Sequence, residues 1–451
     1  MPTESTSRVM MAYCDAEGRI YDHPELEMLG WDGECWRPVS LDEVIPLPEG
    51  SDLFTLPGRR PAGLNAESQE VVVWDEPDVF AASVFLAPAY LRLLLPAYET
   101  LADAPGLPLY AYSAVGVLDG ELVAAAIRVD PDIRQDPYRF DIEEVAAGVA
   151  ERRQAEPENR VLQHLTRCAL EYHCRAAQNY FLGRFEAPLP AAPTCNAYCV
   201  GCISLQDPNA GDELAPASHD RIAFEPSHDE LASVAVGHIA RVGCDAVVSF
   251  GQGCEGEPLS EGAALVRTVE AIRAQTSEGV INLNSNASKP DVVEELCQAG
   301  LNSLRISTNS ARPDVYAAYY RPKGYSFDDV QESGRVVKRH DGYVMLNYFI
   351  FPGVTDTHAE LEALSAWITR DHIDMVQLRN LNIDPEIYLE ILAPVGGAGE
   401  AMGVAQWLAE LSRRHPHLRF GYFNPASRLF DAEPHSLDLA MANEEFIHAD
   451  L

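Results

Sequence analysis

Short apolar runs and helical patterns take turns along this chain from about residue 159 to residue 422, and few folds accommodate that rhythm. The runs over 180–185, 244–250, 280–284, 303–308, 344–351 and 373–378 have strand length. Helical patterns lie over 159–177, 227–241, 260–275, 288–299, 327–338 and 356–369. Local signals support them. Ser227 with Glu230 three residues on is a capping box, and Pro290 just after Ser288 opens a helix that Gly300 ends. A last helix over 402–414 and a run over 418–422 extend the series. Strands that each lead into a helix pair in parallel through right-handed crossovers, so the class is α/β. An open barrel and a doubly wound sheet both fit, and in both the chemistry gathers at the carboxyl ends of the strands.

The first 150 residues read differently. Asp119-Gly120 is a hairpin turn between 109–117 and 121–129, and Pro46, Pro48, Pro57 and Pro61 punctuate the preceding loop. The most apolar stretch, 82–98, is broken by Pro88, Arg92 and Pro96 and is expected to be a buried or amphipathic helix pair. It is too interrupted to span a membrane, which takes about 20 largely apolar residues. The start, MPTESTSRVMMAYCD, lacks the apolar core and small-residue site of a signal peptide, so the expected location is cytoplasmic.

Charge narrows the partners. Against 33 Lys and Arg stand 69 Asp and Glu, a formal net charge of −36. Such a field repels phosphate backbones and anionic lipid, and no basic run compensates, so neither nucleic acid nor a membrane is an expected partner.

Ten cysteines remain to be explained. In a reducing compartment they are not structural disulfides. Three stand apart as Cys195-Asn196-Ala197-Tyr198-Cys199-Val200-Gly201-Cys202, the spacing C-x3-C-x2-C, directly after the first strand of the alternating series. Thiolates are the usual ligands of iron–sulfur clusters and normally come in fours, so three imply one iron with an open coordination position. A structural zinc site would want a fourth ligand, and no C-x2-C pair follows.

This loop resembles the signature of the radical S-adenosylmethionine (radical SAM) superfamily, C-x3-C-x2-C after the first barrel strand. Further segments are similar to that family's at matching places. Gly253-Cys254-Glu255-Gly256-Glu257-Pro258 looks like its G-G-E-P turn, with Glu255 in place of the first glycine. Asn284 to Ala287 is similar to its T-N-G segment, Arg305 to Ser310 to its S-x-D-S segment, and Phe351 to Asp356 to its P-G-x-T-D turn. The resemblance covers roughly residues 180–380 and identifies no subfamily. It implies a partial (β/α)6 barrel, placed at 151–425; residues 1–150, which resemble no family, are expected to form a mixed α/β accessory domain, and 426–451 a tail. It also implies a [4Fe-4S] cluster on Cys195, Cys199 and Cys202, with S-adenosylmethionine chelating the fourth iron and cleaved reductively to a 5′-deoxyadenosyl radical. By the same resemblance, the cofactor meets Val200 (in the place of an aromatic residue beside the adenine), Gly256, Glu257, Asn284, Asn286, Arg305, Ser307, Asn309 and Val354. Expected partners are a polar small-molecule or peptide substrate and an electron donor such as flavodoxin or ferredoxin.

Plainer roles exist for several of these residues. Glu257 can cap the helix that follows it. Cys254 is expected to be a small buried residue rather than a hydrogen-atom donor, and His164, Cys168, His173 and Cys174 to serve helix packing. One cluster is expected. The rival functions are a peptide-modifying maturase that uses residues 1–150 to grip a leader segment and a non-catalytic iron–sulfur redox protein.

Overall fold

The protein is described from a computed structural model that covers residues 8–107, 109–204 and 220–433. Its second half is built on a sheet of seven parallel strands: β1 (Glu186–Pro188), β2 (Val247–Phe250), β3 (Val280–Ser285), β4 (Ser303–Thr308), β5 (Tyr343–Ile350), β6 (Met375–Asn380) and β7 (Arg419–Gly421). Their order in the sheet is their order in the chain. A doubly wound sheet would reverse direction at a switch point, so consecutive order decides for the curled half-barrel. All six residues of β3 are buried, as expected of a parallel strand covered on both faces.

Helices cover one side: α1 (Ile142–Ala155), α2 (Arg160–Leu170), α3 (Arg175–Phe181), α4 (His228–Val242), α5 (Gly262–Arg273), α6 (Pro290–Ala299), α7 (Pro313–Tyr320), α8 (Phe327–Arg339), α9 (His358–Asp371), α10 (Pro385–Leu392) and α11 (Val404–Arg414). The local signals act as expected. The Ser227 hydroxyl accepts the Glu230 N–H while the Glu230 carboxylate accepts the Ser227 N–H. α6 opens on Pro290 and ends at Gly300, which is left-handed.

The accessory region is an antiparallel sheet of short strands around the long strand Ile20–Trp31. Asp119 and Gly120, both at positive φ, turn the hairpin Val115–Leu118 to Glu121–Arg128. The helical share expected for residues 1–150 reduces to 3-10 turns and the start of α1, so the 150/151 boundary falls within a helix. The expected helix pair at 82–98 is instead the strands Phe80–Phe85, Tyr90–Arg92 and Leu95–Pro96. A short apolar run suits a buried strand as well as a helix, and Pro88 and Pro96 break the helical option. The expected strand at 180–185 is the end of α3 followed by a turn at Gly183, and β1 begins only at Glu186. The segments α7 and α10 were not foreseen. Of the tail, residues 434–451 lie outside the described residues; before them Phe430 stacks on Tyr343 at 4.4 Å. Among the described residues no helix is long and apolar enough to cross a membrane.

One core runs through both halves, joining Met28 and Leu91 of the accessory sheet to Leu283 and Leu346 of the barrel. The seam is close. A Cβ at Gly33 would lie 2.1 Å from the Gly353 Cα, so two glycines back onto each other. Arg92, wholly buried, donates its backbone N–H to Asn380 Oδ1 (2.9 Å) and its guanidinium to Asn382 Oδ1 (3.1 Å). The accessory sheet therefore sits over the carboxyl ends of the barrel strands.

Candidate active site

A cavity of about 720 Å³ opens at those strand ends. Cys195, Cys199 and Cys202 form one wall. Their loop is held by α7 and the turn after it: Tyr198 and Val200 donate their N–H groups to the carbonyls of Tyr320 (3.0 Å) and Tyr319 (3.1 Å), and the Asn196 carbonyl accepts from the Lys323 N–H (2.9 Å). The Asn196 side chain donates to Ser288 Oγ and accepts from Asn286 Nδ2, which ties the loop to the end of β3. Burial, with Glu257 nearby, pushes the Cys195 thiol up to about 11, and burial with its two neighbouring thiols pushes Cys199 up as well. Cys195 and Cys199, so placed, favour their charged form only beside a cation, which is what cluster iron would provide.

The turn after β2 forms the second wall. Gly256 and Glu257 donate their N–H groups to the carbonyls of Ala192 and Thr194, both at 2.7 Å. A Cβ at Gly256 would lie 1.9 Å from the Thr194 carbonyl oxygen, so only glycine allows this approach. Glu257 takes the Leu259 N–H (3.0 Å) and the Ser285 hydroxyl (2.5 Å) on one oxygen and the Asn286 N–H (2.8 Å) on the other. It is thus both the cap of the following 3-10 turn and a member of the cavity wall. Burial raises its carboxyl above the ordinary range against these donors. Glu255 was not assigned a role from sequence, yet it accepts four backbone N–H groups, from Ala191, Ala192, Gly251 and Gln252, at 2.6–3.0 Å. It pins the exit of β1 to the exit of β2. An acid in place of a motif glycine was the available signal.

The floor is polar. Asn284, Asn286, Arg305 and Ser307 all line it, as do Asn347, Arg379 and Asn424, which also face inward. Arg305 donates to Gln377 Oε1 at 3.1 Å, and burial beside Arg379 lowers its pKa to about 9. Its Nε is buried without a partner. The Arg379 guanidinium lies 3.4 Å over the Tyr422 ring, and its Nε is likewise buried and unpartnered. Two guanidiniums with a free donor each are a place for an anion.

Three expected cofactor residues do not reach the wall. Val200 packs against the core behind the loop, Val354 is 1% exposed within the core, and Asn309 turns to donate to the Tyr388 hydroxyl on α10 at 3.0 Å. Cys254 is buried and off the cavity wall. The accessory region contributes Phe54, Phe85 and Tyr110 to the lining.

The residues present fit a cluster with a chelating cofactor. The cavity is lined by three thiols and no fourth cysteine. Among the described residues a separate group, none of it on this cavity wall, brings three metal-ligating atoms within 4.8 Å of one another.

Residues 189–364 match the profile of the Radical SAM superfamily. No curated protein matches the chain in sequence. Among solved structures, native anSMEcpe with bound AdoMet is 14% identical, with 43% of this chain and 51% of that one covered at a TM-score of 0.33. SuiB of Streptococcus suis bound to its precursor peptide SuiA is 11% identical over 57% and 52%, at 0.35. The FeFe-hydrogenase maturase HydG from Carboxydothermus hydrogenoformans is 14% identical over 66% and 80%, at 0.34. The chain spans about half the length of the first of these.

Proposed function

We infer that this radical SAM enzyme, whose family domain spans residues 189–364, acts on a small polar substrate that carries an anionic group. The family implies a [4Fe-4S] cluster and S-adenosylmethionine, which supply when bound a 5′-deoxyadenosyl radical by reductive cleavage. The chain's own residues supply the rest. Cys195, Cys199 and Cys202 are the thiolates that would hold the cluster. The Gly256 carbonyl and Glu257 carboxylate are suitable acceptors for the cofactor's amino group, and Asn284, Asn286, Ser307 and Arg305 offer donors to its ribose and carboxylate oxygens.

The observation that carries the substrate class is Arg379. It lies across the floor from the cysteine loop with an unpartnered buried Nε, in a molecule whose net charge is −36. A cation held inside an acidic protein selects an anion by local geometry rather than by overall field. Phe54, Phe85 and Tyr110 line the cavity and favour an apolar portion of the substrate there. A peptide remains the second substrate class, supported by the partial exposure of Phe85 (43%) at the rim. Flavodoxin or ferredoxin is the proposed electron donor.

The test is anaerobic incubation of reconstituted protein with S-adenosylmethionine and dithionite. Release of 5′-deoxyadenosine is expected, and cluster-replete protein that releases none overturns the reading. Carboxylate and phosphate metabolites are then screened for increased release, an increase that Arg379→Met should reduce at least tenfold in kcat/KM. Full stimulation of the Arg379→Met protein by the best substrate would remove the anionic assignment.

A further inference from the structure

Behind the turn that carries Glu255 to Glu257, on the side away from the cavity, a second group of metal-ligating side chains comes together. His164 and Cys168 lie four residues apart on one face of α2, and Cys254 reaches them from the loop after β2. The Cys168 thiol and His164 Nε2 are 3.6 Å apart, and the donor atoms of all three residues lie within 4.8 Å of one another. Cys168 is 1% exposed and Cys254 6%, while His164 faces partly outward. Sequence alone offered only the helical pair, for which packing is a sufficient role. Cys254 joins it through the fold, 86 residues further along the chain.

We propose that His164, Cys168 and Cys254 form a binding site for one divalent metal ion of the zinc class, separate from the cluster loop. A tetrahedral zinc, with Zn–S about 2.3 Å and Zn–N about 2.0–2.1 Å, sets its donors about 3.5–3.8 Å apart. The His164–Cys168 separation already matches that spacing, and small side-chain movements bring Cys254 to it. Two thiolates and one imidazole are borderline-soft donors that suit zinc over magnesium or calcium. They leave one position of the tetrahedron for a fourth ligand. The ion would staple α2 to the loop whose next residues, Glu255 and Gly256, clamp the exit of β1 just before the cluster cysteines. Its role is therefore to fix the wall of the cavity from outside.

The cluster thiols can also take zinc, so the experiment removes them. Full-length Cys195→Ala/Cys199→Ala/Cys202→Ala protein is purified under reductant without chelator and analysed for metal. About one zinc per chain is expected. Replacement by cobalt(II) should give the intense visible bands of a tetrahedral site together with thiolate-to-metal charge transfer in the near ultraviolet. Adding Cys254→Ser should weaken cobalt affinity at least a hundredfold, and adding the milder His164→Ala, at a partly exposed position, at least tenfold. The outcome that overturns the site is a reduced, folded triple variant that binds neither metal at micromolar concentration. Unchanged cobalt spectra after both added substitutions would overturn it equally, and a Cys168–Cys254 disulfide in place of metal would assign the pair to redox chemistry instead. None of these readouts depends on the cluster or on 5′-deoxyadenosine release.

Discussion

Arg59 Nη2 lies 2.9 Å from Asp384 Oδ2, with the two side chains 3% and 2% exposed. The pair links the accessory sheet to the start of α10, and the Tyr112 hydroxyl donates to the same carboxylate oxygen at 3.0 Å. The Arg59 guanidinium also donates to the carbonyls of Pro57 and Pro105. Removing one partner of a buried pair strands the other charge, which costs about 3–5 kcal/mol. Arg59→Met should lower stability by that order in a urea titration of anaerobic protein. Arg59→Met combined with Asp384→Leu should recover part of the loss, since no charge is then left uncompensated. A double variant no more stable than Arg59→Met would show that the link matters for its hydrogen bonds and not for its charge.

The close approach of Gly256 to Thr194 gives a second expectation. A methyl group there meets a backbone oxygen, not a flexible side chain, so the segment leading into Cys195 must move. Gly256→Ala should reduce iron content after reconstitution well below four per chain while circular dichroism stays unchanged. Cys14→Ala and Cys35→Ala should leave iron content untouched, whereas Cys195→Ala, Cys199→Ala or Cys202→Ala should each strip the brown cluster. Full loading of the Gly256→Ala protein would mean the loop adapts without loss.

Stability should depend on pH through Asp356. Burial pushes its carboxyl up to about 7, against the Gly353 N–H that donates to it at 2.6 Å. Unfolded, the group titrates near 4, so between about pH 4 and 7 the native state holds the proton more tightly than the unfolded chain. The stabilising contribution is full below about pH 4 and is lost as pH rises through 7. Asp356→Asn keeps an acceptor for Gly353 and carries no charge. It should flatten the curve and be more stable than the parent at pH 8 by about 2 kcal/mol, below the roughly 4 kcal/mol that three pK units would set as a ceiling. Denaturant unfolding of cluster-free protein at pH 5 and pH 8 checks this. Some slope should survive, because burial also pushes Glu255 up to about 7.

The sequence carried the barrel because its strands are continuous apolar runs set between capped helices; the expected 303–308 coincides with β4. It misplaced 82–98 because a run of buried residues too short for a clear period looks alike in strand and helix, and only pairing with distant strands decides. The same limit applies to the site. Spacing located the cysteine loop and the strand ends that carry Arg305 and Ser307, which alternate on one face of β4. It could not tell that Asn309, just past that strand, turns to Tyr388 on a helix the sequence had not revealed. Arg379, like Asn347, stands among the polar residues that the sequence sets at strand ends, whereas Asn424 reaches the floor only because the segment after β7 curls around to it.

Glu257 decides whether cofactor binding and cluster assembly are separable. Its oxygens already serve three protein donors, from Leu259, Ser285 and Asn286. An amide at this position can accept on one side only, and its NH2 then faces a donor on the other. Glu257→Gln should therefore lose about 1–3 kcal/mol of stability whatever else the residue does. If the carboxylate also receives the cofactor's amino group, a charge-assisted bond worth roughly 1.5–3 kcal/mol goes too, and S-adenosylmethionine binding weakens about ten- to a hundredfold. Ser285→Ala is the control. It withdraws one donor from Glu257 and keeps the charge, so it should cost stability while leaving affinity within about threefold. Iron content should be unchanged in both variants. Electron paramagnetic resonance of the reduced cluster reads the difference, because chelation of the unique iron alters the signal. A Glu257→Gln protein whose signal responds at the same S-adenosylmethionine concentration as the parent would leave Glu257 as a cap alone.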